Sequence, residues 1–126
     1  MSSKTPDFEI VIDRIPPSVN HMYVITKRMQ KVPTKTAREF IQYVRDLAFL
    51  KAREKQFVKR TNKQFFKMEI DFVFPSYRFP DPNNLLKALI DAFEGVVFEN
   101  DKWCLPAVTS AKVQKGVSQT TVRFYF

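Results

Sequence analysis

The sequence predicts an α+β fold: a single small domain spanning residues 1–126, in which a mixed four-stranded sheet packs against two main helices. Three observations carry this expectation. The length of 126 residues suits one domain of the commonest size, large enough to bury its own core. Apolar residues alternate with polar ones in several short runs and recur at helical spacing in two others, in the order strand, loop, helix, strand, helix, strand, strand. The chain also has no repeat, no low-complexity tract and no Gly/Ser linker; with only 2 glycines against 8 prolines, proline ends its elements.

Phe8, Ile10 and Ile12 alternate with Glu9 and Asp13, the period-2 pattern of a half-buried strand, which Pro16-Pro17 must stop. A loop is expected next, carrying Ser18, Asn20, His21 and Tyr23. Thr36 with Glu39 three residues on forms a capping-box pattern, so a helix should start there. Its apolar face would be Ala37, Phe40, Ile41, Val44, Leu47 and Ala48, with Lys35, Arg38 and Arg45 outside and an end near Glu54. Met68, Ile70, Phe72 and Phe74 alternate with Glu69 and Asp71 as a second strand, ended by Pro75. A second helix is expected after Pro82, with Asp81 or an Asn as N-cap, Leu85, Leu86, Leu89, Ile90 and Phe93 inward, and Gly95 just past its end. Strands over about 108–114 and 120–126 are expected to pair as a hairpin turning at Lys115-Gly116.

Composition narrows the function classes. Apolar residues make up 44% and charged residues 27%, with no run approaching the roughly 20 apolar residues of a membrane span. The first residues lack the pattern of a signal peptide, and Cys104 is the single cysteine, which suits a reducing compartment. A soluble, cytoplasmic protein with no membrane association is the expectation. The net charge of +8 is unevenly spread: residues 1–26 carry −1, residues 27–67 carry +10 and residues 68–126 carry −1. A basic block from Lys27, Arg28, Lys31 and Lys35 through Arg38, Arg45 and Arg53 to Lys59, Arg60, Lys63 and Lys67 fits a polyphosphate partner. Charge alone leaves a solvated helix face and an anionic membrane as the other readings.

Against that background, acids gather in one place. Asp81, Asp91, Glu94, Glu99 and Asp101 put 5 of the 13 acidic residues close together in sequence. A tight return after Gly95-Val96-Val97-Phe98 is expected to bring Glu99-Asn100-Asp101 near the N-terminal end of the second helix. Carboxylates beside a cationic surface repel the phosphate they would meet unless a divalent metal sits between them, which is the requirement of metal-dependent phosphodiester cleavage. On the helix, Asn84, Lys87, Asp91 and Glu94 form a polar stripe with Lys87 and Asp91 as i,i+4 neighbours.

Most of these residues also have a plain structural reading. Asp81 and Asn84 can be caps, Lys87 and Asp91 a surface pair, and Glu94 and Glu99 solvated acids. His21 has no partner for a His-based metal centre or a Ser-His-Asp arrangement and reads as a loop residue, while Cys104 reads as a small packed side chain. The 13 phenylalanines are mostly core, but Phe79 stands beside prolines and acids, where an exposed ring can stack on an unpaired base.

Pro16-Pro17-Ser18-Val19-Asn20, the run Asp81-Pro82-Asn83-Asn84-Leu85-Leu86-Lys87-Ala88-Leu89-Ile90-Asp91, and Gly95-Val96 leading to Glu99-Asn100-Asp101 stand in one order along nearly the whole chain. In this the sequence resembles the RusA family of Holliday junction resolvases. The resemblance implies a Mg²⁺-dependent endonuclease, with Mn²⁺ able to substitute, that cuts four-way DNA junctions by paired nicks as a homodimer, without a small-molecule cofactor, in recombination and repair in a bacterial or phage setting at the nucleoid. It implies Asp81 and Asp101 as acidic metal ligands, Lys87 as a cation at the scissile phosphate, and Asn83 at the position of a second essential Asp. Asn83 and Asp91 complete the candidate metal set, and Asn20, Lys27, Arg28, Lys31, Lys35, Phe79 and Asn84 the candidate DNA contacts. Three readings of Asn83 stay open: an amide oxygen still ligates with Asp91 or Glu99 restoring charge, the residue was substituted to silence the enzyme, or the protein binds junctions without cutting them. A junction binder of the same fold is the alternative function, and a single-strand binder using its phenylalanines a third.

Overall fold

The structure, a computed structural model, describes residues 4–126. Its strands are β1 (Phe8–Ile12), β2 (Tyr23–Ile25), β3 (Lys31–Pro33), β4 (Phe66–Phe74), β5 (Cys104–Val113) and β6 (Gln119–Tyr125), and its helices α1 (Lys35–Glu54) and α2 (Leu86–Phe93). The fold is α+β, as expected. The main sheet has the order β1-β6-β4-β5, with β6 antiparallel to both neighbours and β5 parallel to β4, so it is mixed and four-stranded. The period-2 pattern explains which face is covered. Phe8, Ile10, Ile12, Met68, Ile70, Phe72, Val122 and Phe124 are buried, and they join Phe40, Val44, Leu89 and Phe93 from the helices in one core. The opposite face carries Glu9, Glu69, Asp71 and Arg123, linked by ion pairs.

Three expectations need correction. Lys115-Gly116 does carry a turn, with Gly116 at φ +77, but its arms do not pair with each other. Gln114 and Gly116 donate to the carbonyls of Phe74 and Pro75, so the turn crosses the end of β4 and leaves that strand between β5 and β6. The alternation of β4, buried at every second residue from Phe66 to Phe74, makes it a central strand; β5, exposed along most of its length, takes the edge.

The start of α1 also differs. Thr34, not Thr36, is its N-cap: Thr34 Oγ1 accepts from Ala37 N at 3.2 Å and donates to the His21 carbonyl at 2.9 Å. Glu39 pairs with Lys35 instead, at 3.8 Å. Third, Arg45 is not an outward member of the basic face. Its guanidinium donates to the carbonyls of Asp91 (2.7 Å) and Ala92 (3.4 Å), neutralising the negative end of α2.

Candidate active site

The stretch expected to be a plain loop after Pro16-Pro17 contains a 3₁₀ turn at Val19–His21 and the small two-stranded sheet β2–β3. The hairpin tip holds Lys27 and Arg28, and it closes on Thr26: Oγ1 accepts from Gln30 N (3.1 Å), the Thr26 carbonyl accepts from Met29 N (2.9 Å), and Thr26 N donates to the Gln30 carbonyl (2.9 Å). Met29 takes the left-handed conformation at φ 58, a turn position usually marked by Gly or Asn. At the stem, the Lys31 ammonium lies 4.5 Å from the centre of the Tyr23 ring. Asn20 is exposed on the 3₁₀ turn, and His21 is tied through Nδ1 to Ser18 Oγ at 2.9 Å, the loop role expected of it.

That 3₁₀ turn packs against a second one, Pro82–Leu85, and against α2. Asp81 is the N-cap, as expected: its Oδ1 accepts from Asn83 N at 2.9 Å, and its carbonyl accepts from Asn84 N at 2.9 Å. Pro82 at the first turn position has no N–H to leave unpaired. Asn83 is exposed and Asn84 half-buried. Phe79 stacks on buried Phe74, with centroids 4.7 Å apart and planes 15° apart, and remains 42% exposed. One face of the ring is thereby anchored in the core.

In the first turn of α2, Lys87 Nζ donates to Asp91 Oδ1 at 3.0 Å. This bond, offset by burial and reinforced by the charges of Asp91, Tyr23 and Asp101, holds the Lys87 ammonium above the ordinary lysine value. Lys87 therefore remains a cation and lies within the electrostatic reach of Asp101 and of the β2–β3 stem. Arg45, from α1, fixes the backbone of the residue that holds it.

The return after α2 is as tight as expected, with Gly95 at φ +90 and Gly95 N donating to Phe98 O at 2.7 Å. Its Asp101 end is tied to the Glu94 side chain, and the Asp101 charge reaches Lys87 in the first turn of α2. Asp101 N donates to Glu94 Oε2 at 2.8 Å, and Glu94 is the C-cap of α2. Glu94, read from sequence as a solvated acid, is thus a structural acceptor; its place at the end of the Asn84–Lys87–Asp91 stripe was the available signal. Glu99 pairs with Lys59 at 3.0 Å on the surface. Cys104 packs against Met68 Sδ at 3.7 Å, and burial, with the Asp101 charge adding, pushes its thiol up to about 12, the inert small side chain expected.

Asp81 thus caps the turn that enters α2, and the Asp101 backbone is held by the Glu94 side chain while the Asp101 charge reaches Lys87, which pairs with Asp91. Among the described residues, no group of three His, Cys, Asp or Glu side chains stands close enough to hold a metal ion. The oxygen donors offered by Asp81, Asn83 and Asp101 nonetheless have the chemistry of a hard cation site. Mg²⁺ takes one or two protein carboxylates and completes its shell with water and substrate phosphate. Among the candidate DNA contacts, the structure brings Asn20, Asn84 and Phe79 to the Asp81 end, and Lys27, Arg28 and Lys31 to the hairpin. Lys35 is exposed at the start of α1, directly after β3.

A small basic α+β domain in which an ammonium group is held among carboxylates beside a cationic hairpin has the make-up of a nuclease. The sequence profile of the family described as Endodeoxyribonuclease RusA matches residues 14–125, and the chain belongs to that family. Membership makes it an endonuclease of the Holliday junction-resolving class. Comparison with individually curated proteins finds no match. No helix among the described residues is long and apolar enough to cross a membrane.

Proposed function

We propose that the chain resolves four-way DNA junctions by Mg²⁺-dependent phosphodiester hydrolysis, as a homodimer whose two sites nick paired strands, in recombination and repair in a bacterial or phage-infected cytoplasm. The observation that supports this most is the Lys87 ammonium, held at 3.0 Å by Asp91 and within electrostatic reach of Asp101. Asp81, Asp101 and the Asn83 amide oxygen would hold the metal, Mg²⁺ or Mn²⁺. When bound, it polarises the scissile phosphate and lowers the pKa of the attacking water. Lys87 stabilises the charge that builds on the phosphate oxygens, with Asp91 keeping it protonated and aimed. Asn20 and Asn84 orient the strand, and Lys27, Arg28, Lys31 and Lys35 follow the backbone. The exposed side of Phe79 stacks on a base freed at the crossover. Twofold symmetry in the dimer matches the symmetry of the junction, so two sites address two strands.

Asn83 favours a second reading, in which the protein binds junctions without cutting them. A neutral amide supplies an oxygen ligand but no charge, so metal affinity is weakened. A labelled synthetic junction incubated with Mg²⁺ or Mn²⁺ and either the chain or its Asn83→Asp variant separates the two. Symmetric nicks by the unaltered chain, faster with Asn83→Asp, support hydrolysis. Retarded but intact junctions with the unaltered chain support binding alone. Metal binding and cleavage both unchanged by Asn83→Asp would put residue 83 outside the site.

A further inference from the structure

Beside Asp101, a recess of about 360 Å³ opens between the segment leading into β4 and the 99–103 turn. Its volume is at the low end of the range for small-ligand pockets. Its walls combine three kinds of group. Phe65 is an aromatic ring 64% exposed at the rim, meeting Trp103 edge to face at 5.1 Å. Arg60, Lys63 and Lys102 supply cations, and the one lining acid, Glu99, is engaged by Lys59 at 3.0 Å. Asn62 and Gln64 add amides that donate and accept hydrogen bonds. The recess is braced by the backbone: Arg60 N donates to Val97 O at 3.0 Å and Glu99 N to Arg60 O at 2.9 Å.

An exposed ring, two amides and cations that form no ion pair among the described residues, Arg60 lying over Phe126 and Lys102 over Trp103, match a nucleotide part by part: base face, base edge and phosphate. In a duplex the base faces are covered by their neighbours, so only a base that has left the stack can meet Phe65. Asn100 and Lys102, the chain neighbours of Asp101, line the recess, which on the proposed function lies next to the strand being cut. We propose that this recess receives one unstacked nucleotide of the DNA strand, its base on Phe65 and its phosphate among Arg60, Lys63 and Lys102. The assignment rests on the nuclease reading and deepens it, giving the enzyme a means to sense the nucleotide next to the cut.

Trp103 is the only tryptophan of the chain, so its fluorescence reports on this recess and the Asp101 turn that carries it, and the Phe65 variants assign the signal to the recess. The protein is titrated in EDTA with a single-stranded DNA of about five nucleotides, and with an abasic sugar-phosphate strand of the same length. The intact strand should quench Trp103 saturably and bind about tenfold more tightly than the abasic one, a margin within the range of one stacked base. Phe65→Ala should erase that margin and Phe65→Tyr restore it, while Lys63→Ala weakens both strands alike. Equal binding of the two strands, or an unchanged margin in Phe65→Ala, would overturn the assignment. The readout needs no cleavage. A chain that discriminates the strands but never nicks a junction refutes the hydrolytic reading alone, and one that nicks junctions but binds both strands equally refutes the nucleotide pocket alone.

Discussion

Replacing Lys87 by Met separates the chemistry of the site from the stability of the fold. The substitution keeps the apolar stem and removes the ammonium. Lys87 and Asp91 form an i,i+4 pair with side chains 47% and 22% exposed, so the ion pair stabilises the native state by only about 0.3–0.5 kcal/mol. For a chain of this size that corresponds to a melting-temperature change of roughly 1–3 °C. The effect on cleavage should be far larger. Removing one preorganised donor from a site where charge develops costs about 100- to 1,000-fold in rate. Asp91→Asn should fall between, since the ammonium survives without its guide. The assay is single-turnover nicking of a labelled junction at saturating protein, paired with a thermal melt. A Lys87→Met protein that nicks within about fivefold of the unaltered chain, or that melts many degrees lower, would refute the reasoning.

The α1 cap gives a sharp contrast: Thr34→Ala should destabilise the protein by about 1 kcal/mol and Thr36→Ala by less than about 0.5, measured by urea unfolding. On the open face of the sheet, burial tends to raise the Asp71 pKa, but hydrogen bonds from Thr109, Arg123 and Ser110 outweigh it and hold the carboxyl below its ordinary value of 3.8. Its stabilising contribution is therefore complete above that value and lost as pH falls through the lower folded-state value. Asp71→Asn should cost about 1 kcal/mol at neutral pH, solvent screening having reduced the charge contribution at this partly exposed site, with the gap to the unaltered protein closing in acid. Junction affinity should fall with salt at a logarithmic slope of roughly −0.9 per duplex phosphate neutralised, and Lys27→Ala and Arg28→Ala should each reduce that slope by about one. A flat salt response would remove the electrostatic basis for placing DNA along the hairpin.

Much of the fold was legible because period-2 and period-3.6 patterns report burial directly. Phe8–Ile12, the alternation through Phe74 and the apolar face of α1 all stand where the pattern puts them. Strand partners were not legible, because periodicity identifies a buried face but not its neighbour. Lys115-Gly116 looks like a hairpin turn whether β5 meets β6 directly or across β4. The β2–β3 hairpin escaped notice because Met29, rather than Gly or Asn, takes the left-handed position of its turn. At the site, the Lys87–Asp91 pair and the tight return after Gly95 could be read from spacing, whereas joining Asp81, Lys87 and Asp101 took the family resemblance. Arg45 as the brace of α2 could not be read at all, since it arrives by a long-range contact that no local pattern encodes.

On the proposed function, Asp81 and Asp101 serve a single metal-dependent cut. The most direct measurement is the nicking rate of a four-way junction at rising Mg²⁺ for the unaltered chain, Asp81→Asn and Asp101→Asn. Paired, Mg²⁺-dependent nicks by the unaltered chain, abolished by either substitution while junction binding persists, are the expected result. Nicks that survive either change, or that appear equally in EDTA, would contradict it.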